Sequence, residues 1–222
     1  MTPRWHRTRV RHASLSRGGS GAGGVTYDEV MTTLTERGTL ELYEKTGALM
    51  RGHFRLTSGL HSDIYLQSAL VLQYPEHAAR LGDALAAPFV DAGAQTVLAP
   101  AIGGILVAHE VARALGVRAL FTEREEGVMR LRRGFTLAAG ERCLVVEDVM
   151  TTGGSIREVL TCVEALGGTV VGVGSLIDRS GGGTSFSVKR ATLATVKATT
   201  WKPEECPLCR AGSPAIKPGS RV

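Results

Sequence analysis

From Glu76 onward the apolar positions alternate between two periods. Residues 76–92 carry Leu81, Leu85, Phe89 and neighbouring alanines on one side, the spacing of a helix with one buried face. Thr96-Val-Leu-Ala-Pro-Ala101 is a short apolar run of strand length. Residues 104–115 return to the helical period through Ile105, Ala108, Val111, Ala112 and Leu115. Val117–Glu123, Cys143–Val146 and Thr169–Ile177 read as three more strands. Ser155–Leu166 reads as a helix, with Ile156, Val159, Leu160 and Val163 on one face and Gly167-Gly168 as its stop. Strands alternating with helices predict an α/β fold with a parallel sheet and crossover helices.

The flanking segments read differently. Thr26–Leu49 has a helical pattern. Residues 53–72 lean towards β structure and are interrupted by Ser58-Gly59, as in a short hairpin or lobe. Residues 124–140 are charged and punctuated by glycine, which predicts a long loop or hairpin. Residues 1–24 hold Arg4, Arg7, Arg9, Arg11 and Arg17 and no acid, which accounts for the whole net charge of +5 and leaves the remainder balanced. The basic excess therefore gives no nucleic-acid footprint on the folded body. The segment is read as a disordered leader or an early translation start, with a transit peptide as the alternative, and residues 25–222 as one domain. No apolar run approaches the roughly 20 residues that span a bilayer. Cys143 and Cys162 fall in apolar helix or strand patterns, and a reducing, cytoplasmic location is the simplest expectation.

The informative chemistry lies in Val145-Val-Glu-Asp-Val-Met-Thr-Thr-Gly-Gly-Ser155. An apolar strand runs into two adjacent carboxylates, then a loop of hydroxyls and glycines, then a helix. Glycine lets backbone approach an anion, threonine and serine donate hydrogen bonds, and the unpaired N–H groups of a helix start favour negative charge. Such a loop suits a phosphate monoester. Glu147 and Asp148, at the carboxyl end of the strand, can accept hydrogen bonds from vicinal hydroxyls. Phosphate on one side and a diol on the other describe a ribose 5-phosphate. The bland alternative is a capped turn with both acids solvated. The nucleotide P-loop and the dinucleotide-binding glycine fingerprint are absent from the sequence.

Glu147-Asp-Val-Met-Thr-Thr-Gly-Gly-Ser155 resembles the phosphoribosyl-pyrophosphate motif of type I phosphoribosyltransferases. Three other segments resemble the orotate branch of that family. They are Gly52-His-Phe-Arg-Leu-Thr-Ser-Gly-Leu-His-Ser62, Ala99-Pro-Ala-Ile-Gly-Gly-Ile105 and Ile177-Asp-Arg179. The tail, Cys206-Pro-Leu-Cys209 with Lys217-Pro-Gly-Ser220, is similar to that of one bacterial subgroup. The resemblance spans about residues 38–221. It implies a type I phosphoribosyltransferase fold, a central and mostly parallel sheet flanked by helices. A small hood lobe would come from the amino- and carboxyl-terminal parts.

The resemblance also implies roles. The 5-phosphate would sit on Thr151, Thr152, Gly153, Gly154 and Ser155, the ribose hydroxyls on Glu147 and Asp148, with Val149 and Met150 completing the motif. Ala101, Ile102 and Gly103 form its pyrophosphate loop. Orotate would meet Thr151, the Ser58-Gly59 turn, Arg179 and the ring of Tyr65. A surface Arg179 paired to Asp178 and a core Tyr65 are the competing readings. Mg²⁺ would be held mainly by the pyrophosphate, with Asp148 acting through its water shell.

Arg124, Arg130 and Arg132 would form a catalytic lid, with Arg124 also on the sugar donor, completing a neighbour's site in a homodimer. The lysine and histidine common in that lid are missing here, and which residue replaces them is open. His53 and His61 are read as structural. Cys206 and Cys209 supply half of a zinc ligand set, and with only one such pair a turn with free thiols is the favoured reading. A phosphoribosyltransferase for another base, and a regulator that binds nucleic acid through the leader, are the rival functions. The tail after Val196 is too short for a fused decarboxylase barrel of roughly 200 residues.

Overall fold

The structure, a computed structural model, describes residues 34–218. The basic leader and the first residues of the helix expected from Thr26 lie outside that range. Helix α1 is Glu36–Lys45, begun by Thr35, whose hydroxyl accepts from the Gly38 N–H at 3.1 Å. It ends well before Leu49. The Thr46 hydroxyl donates back to the Leu42 carbonyl, and Leu49 instead opens β1 (Leu49–Arg55). Then follow β2 (His61–Leu66) and a short α2 (Ala69–Leu72), where the sequence leaned towards β structure. Helix α3 (Pro75–Ala86) continues into a 3₁₀ turn over Ala87–Ala92.

The alternating part follows as β3 (Thr96–Pro100), α4 (Gly104–Leu115) and β4 (Arg118–Glu125), then β5 (Val128–Leu131) and β6 (Arg142–Met150). It ends with α5 (Gly154–Ala165), β7 (Thr169–Asp178) and β8 (Arg190–Thr195). The tail contributes β9 (Thr200–Trp201) and α6 (Pro207–Arg210). The main sheet has the order β5-β4-β3-β6-β7-β8, parallel except for β5, which forms a hairpin with β4. The hairpin reading of residues 124–140 thus holds for its first part. A second sheet, β1-β2-β9, is antiparallel.

The pleat of β6 shows why the sheet needs helices on both faces. Leu144 and Val146 pack with Leu81, Leu85 and Val111 from α3 and α4, whereas Cys143 and Val145 pack with Ile156, Val159 and Val163 of α5. Full burial of side chains of this size stabilises by about 1.5–3 kcal/mol each. Strand β6 is longer than its apolar run predicted. It carries Glu147 and Asp148 within the ladder, with Glu147 opposite Ser175 and Met150 opposite Asp178 on β7.

The small sheet is closed by the tail. β9 pairs with β2, and the Asp63 carboxylate accepts from the Thr199 N–H at 3.0 Å. On the other margin, the Ile216 N–H donates to the His53 carbonyl and the Arg55 N–H to the Ile216 carbonyl, both at 2.8 Å. In β1 the register slips between Arg51 and Phe54, so the neighbours His53 and Phe54 are both buried.

Candidate functional site

The turn after β6 is made by Thr151 and Thr152, both exposed, and Gly153. Gly153 has φ +74°, a left-handed conformation that side-chain-bearing residues rarely adopt. A Cβ there would also lie 2.8 Å from Thr184 Cγ2 and 3.1 Å from Phe186 Cζ. The chain from Thr184 to Phe186 therefore backs the turn. Arg157 holds it by donating to the Ser185 carbonyl at 3.1 Å and stacking over the Phe186 ring at 4.7 Å. Gly153 has no side chain to cap α5, and the Thr152 hydroxyl accepts only from the Gly154 N–H, at 3.4 Å, so the following N–H groups of the first turn are left for a ligand. Thr184 and Phe186 escaped the sequence reading, because contact across the turn leaves no periodic signal.

Beside the turn the two carboxylates are half-buried. Burial, reinforced by the neighbouring Asp148 charge, pushes Glu147 up to about 8, with the Ser155 hydroxyl pulling the other way. The bland picture of two solvated acids is therefore not what the fold builds. Asp148 also meets the loop after β3. A Cβ on Gly103 would stand 2.7 Å from Asp148 Oδ1, so only glycine admits the carboxylate at that distance. Ala101, Ile102 and Gly103 form this turn, with a cis peptide between Ala101 and Ile102, and both Ile102 and Gly103 are exposed. Tyr43, fully buried, donates to Ser68 Oγ at 3.2 Å. Burial chiefly, with the Asp148 charge adding, raises its phenol further above the ordinary range.

At the end of β7, the Asp178 carboxylate binds Arg190 at 2.9 Å and accepts from the Ser180 N–H at 2.7 Å. Arg190 also donates to the Thr184 carbonyl, linking this corner to the Thr151–Gly153 turn. Asp178 is thus occupied by Arg190, not by Arg179. The Arg179 N–H donates to the Met150 carbonyl at 2.8 Å, and its guanidinium reaches across to Ser62 Oγ of β2 at 3.4 Å. Burial lowers its pKa, and the Asp63 charge opposes the shift. A half-buried guanidinium between the two sheets is placed to receive a carboxylate.

Ser58 and Gly59 sit in the exposed turn of the β1–β2 hairpin, closed by the Leu56 N–H donating to the Leu60 carbonyl at 2.8 Å. Tyr65, on β2, packs its ring 5.8 Å from that of Phe54 and donates to the Pro218 carbonyl at 3.4 Å. It is half-buried, with one side already engaged by its own sheet. Arg124 on β4, Arg130 on β5 and Arg132 just after β5 each face a carboxylate. Arg124 pairs with Glu158 of α5 at 2.6 Å, and Arg130 and Arg132 share Glu125 at 3.5 and 3.2 Å. Arg133 pairs with Glu123 at 2.7 Å. Arg124 is thereby tied to the helix that follows the Thr151–Gly153 turn.

A family model described as the phosphoribosyl transferase domain matches residues 76–192. An orotate phosphoribosyltransferase of Desulforamulus reducens is 57% identical to this chain over 182 residues, covering 82% of the chain and 95% of that protein. One of Pelotomaculum thermopropionicum is 55% identical, over 85% of the chain and 99% of its own length. Among solved structures, an orotate phosphoribosyltransferase from Aeropyrum pernix aligns with a TM-score of 0.55 at 28% identity. The alignment covers 71% of this chain and 93% of that one.

Proposed function

The chain belongs to the orotate phosphoribosyltransferase family, and from that premise we propose how its residues carry out the transfer. The enzyme is a pentosyltransferase of pyrimidine synthesis. It moves ribose 5-phosphate from phosphoribosyl pyrophosphate to orotate, giving orotidine 5′-phosphate and pyrophosphate. The site reading rests chiefly on one adjacency. The turn that suits a phosphate leaves β6, Arg179 directly follows the neighbouring strand β7, and Met150 and Arg179 are joined by a backbone hydrogen bond. Donor sugar and carboxylate-bearing base would then meet over the carboxyl ends of two adjacent strands.

In this reading Thr151–Ser155 hold the 5-phosphate, and Glu147 and Asp148 hold the ribose hydroxyls. Val149 and Met150 carry the strand into the turn, and Ala101–Gly103 line the pyrophosphate. Arg179 clamps the orotate carboxylate, with Thr151, Ser58, Gly59 and Tyr65 against the base. The chain supplies no covalent intermediate; it positions the partners, excludes water and offsets the charge that develops on the leaving group. Mg²⁺ fits the site, because Asp148 offers a hard carboxylate that would act through the ion's water shell, leaving the direct ligands to pyrophosphate and water. When bound, the ion withdraws charge from the departing pyrophosphate.

The β4–β5 hairpin is the lid in this reading, with Arg124, Arg130 and Arg132 exchanging their carboxylate partners for pyrophosphate. It would close over the neighbouring site of a two-fold dimer. Residues 25–222 act as one domain in the cytoplasm, and among the described residues no helix is long and apolar enough to cross a membrane.

The deciding assay follows loss of orotate absorbance with phosphoribosyl pyrophosphate and Mg²⁺, against uracil, adenine and hypoxanthine. Turnover is expected with orotate alone, and equal use of another base would overturn the Arg179 assignment. For the lid, replacing Arg124, Arg130 and Arg132 together with alanine should lower kcat by at least about 100-fold, the scale of a lost charge-stabilising group. Retained turnover would remove the hairpin from catalysis.

A further inference from the structure

Four side chains that the transfer does not use converge at the far side of the small sheet. His53 Nε2 lies 2.9 Å from His61 Nδ1, 3.4 Å from Cys206 Sγ and 3.7 Å from Cys209 Sγ. Cys209 Sγ lies 3.2 Å from His61 Nδ1, and all four atoms fall within 4.8 Å of one another. A zinc ion with Zn–N near 2.0–2.1 Å and Zn–S near 2.3 Å separates its tetrahedral ligand atoms by roughly 3.3–3.8 Å. The observed spacings bracket that span, so small ring rotations suffice to admit the ion.

The surroundings prepare the ligands. His53 Nδ1 is 2.8 Å from the Ser213 carbonyl, which only accepts; the proton therefore resides on Nδ1, and Nε2 turns a lone pair into the cluster. The slip in β1 is what aims His53 inwards beside Phe54. His53, His61 and Cys206 are buried, whereas Cys209 reaches the surface and leaves an entry path. Counting one Cys-x-x-Cys pair favoured free thiols, but folding adds the two missing ligands from a hairpin about 150 positions earlier in the chain.

We propose that His53, His61, Cys206 and Cys209 bind one Zn²⁺ as a closed structural site that staples the tail to the β1–β2 hairpin. Four protein ligands complete the tetrahedron and leave no position for substrate, which separates this ion from the reaction. The staple brackets the base-side machinery. His53 and His61 flank the turn holding Ser58 and Gly59, and Ser62, next to His61, receives the Arg179 guanidinium. In a reducing compartment a Cys-x-x-Cys turn is better employed on a metal than in a disulfide.

The test is metal analysis of the full-length enzyme, purified under reducing conditions without a histidine tag. Equimolar zinc that survives dialysis is expected, and its loss in the Cys206→Ser/Cys209→Ser variant. That variant could fail to fold, so wild-type enzyme stripped by chelator is also titrated with Co²⁺. Tetrahedral ligand-field bands with thiolate-to-cobalt charge transfer, saturating at one equivalent, are expected. Zinc added back should raise Tm and lower the orotate KM with little change in the KM for phosphoribosyl pyrophosphate. Purified enzyme without equimolar zinc, no tetrahedral cobalt spectrum, or zinc retained by the double variant would each overturn the site, as would iron or a Cys206–Cys209 disulfide in its place.

Discussion

The phosphate end and the hood of this enzyme are assembled in opposite ways. At the proposed phosphate end, the consecutive residues Glu147–Ser155 pass from strand through turn into helix and present the N–H groups, while Thr184–Phe186 only back the turn. In the hood, a hairpin near the start of the described chain is framed by a tail that begins after Val196, and it meets Arg179 through Ser62 and the charge of Asp63 on β2. One half is specified by neighbours in sequence, the other by contacts between distant segments. Donor binding and base binding should therefore be separable by mutation.

Arg179→Ala should give the largest separation. Losing a two-pronged, charge-assisted contact of about 3 kcal/mol raises the orotate KM by roughly 100-fold. The KM for phosphoribosyl pyrophosphate should stay within about twofold in the same steady-state assay. A matching rise in both constants would show that the two halves are not independent.

Gly153→Ala probes the other half. The left-handed backbone alone costs about 1–2 kcal/mol for a residue with a Cβ, and Thr184 would have to move as well. An approximately tenfold or greater drop in kcat/KM for phosphoribosyl pyrophosphate is expected, with orotate affinity little changed in equilibrium titration.

The smallest effect concerns Glu147 and is read as stability. Its folded pKa, near 8, lies above the ordinary 4.5, so the protonated form favours folding. That contribution is complete below about 4.5 and disappears as pH rises through about 8. In thermal melts without ligand, wild-type Tm should fall over this window more than that of Glu147→Gln, which cannot ionise. Parallel curves would mean that the carboxylate is not held neutral by its surroundings.

The same contrast explains what the amino-acid pattern revealed. Strands β3, β4, β6 and β7 and helices α3, α4 and α5 follow apolar periods, and the phosphate turn follows from residue types in one contiguous run. The hood was legible as a hairpin, but not as a sheet completed by the tail. Thr200 and Trp201 are too short a run to show a period, and β8 escaped for a related reason. Arg-Ala-Thr-Leu-Ala-Thr lies at a sheet edge, mostly half-buried, and its polar composition carries little of the apolar pattern. The overlong first helix came from continuing the leucine spacing through Thr46-Gly47 to Leu49, where the tertiary fold takes Leu49 into β1. Taken one at a time, His53 and His61 carry no ligand signal. Two histidines eight apart on facing strands, considered together with Cys206-x-x-Cys209, are the signal that would have suggested a shared ligand set.

The tail covers both margins of the small sheet, so its loss would expose two strands together. A ladder with bare sides invites foreign strands, and here one returning segment shields both sides, through Thr200-Trp201 and through Ile216. Premature termination before Thr200 would uncover both rails at once. Such a truncated chain is expected to self-associate through β1 and β2, which light scattering would register even where turnover survives.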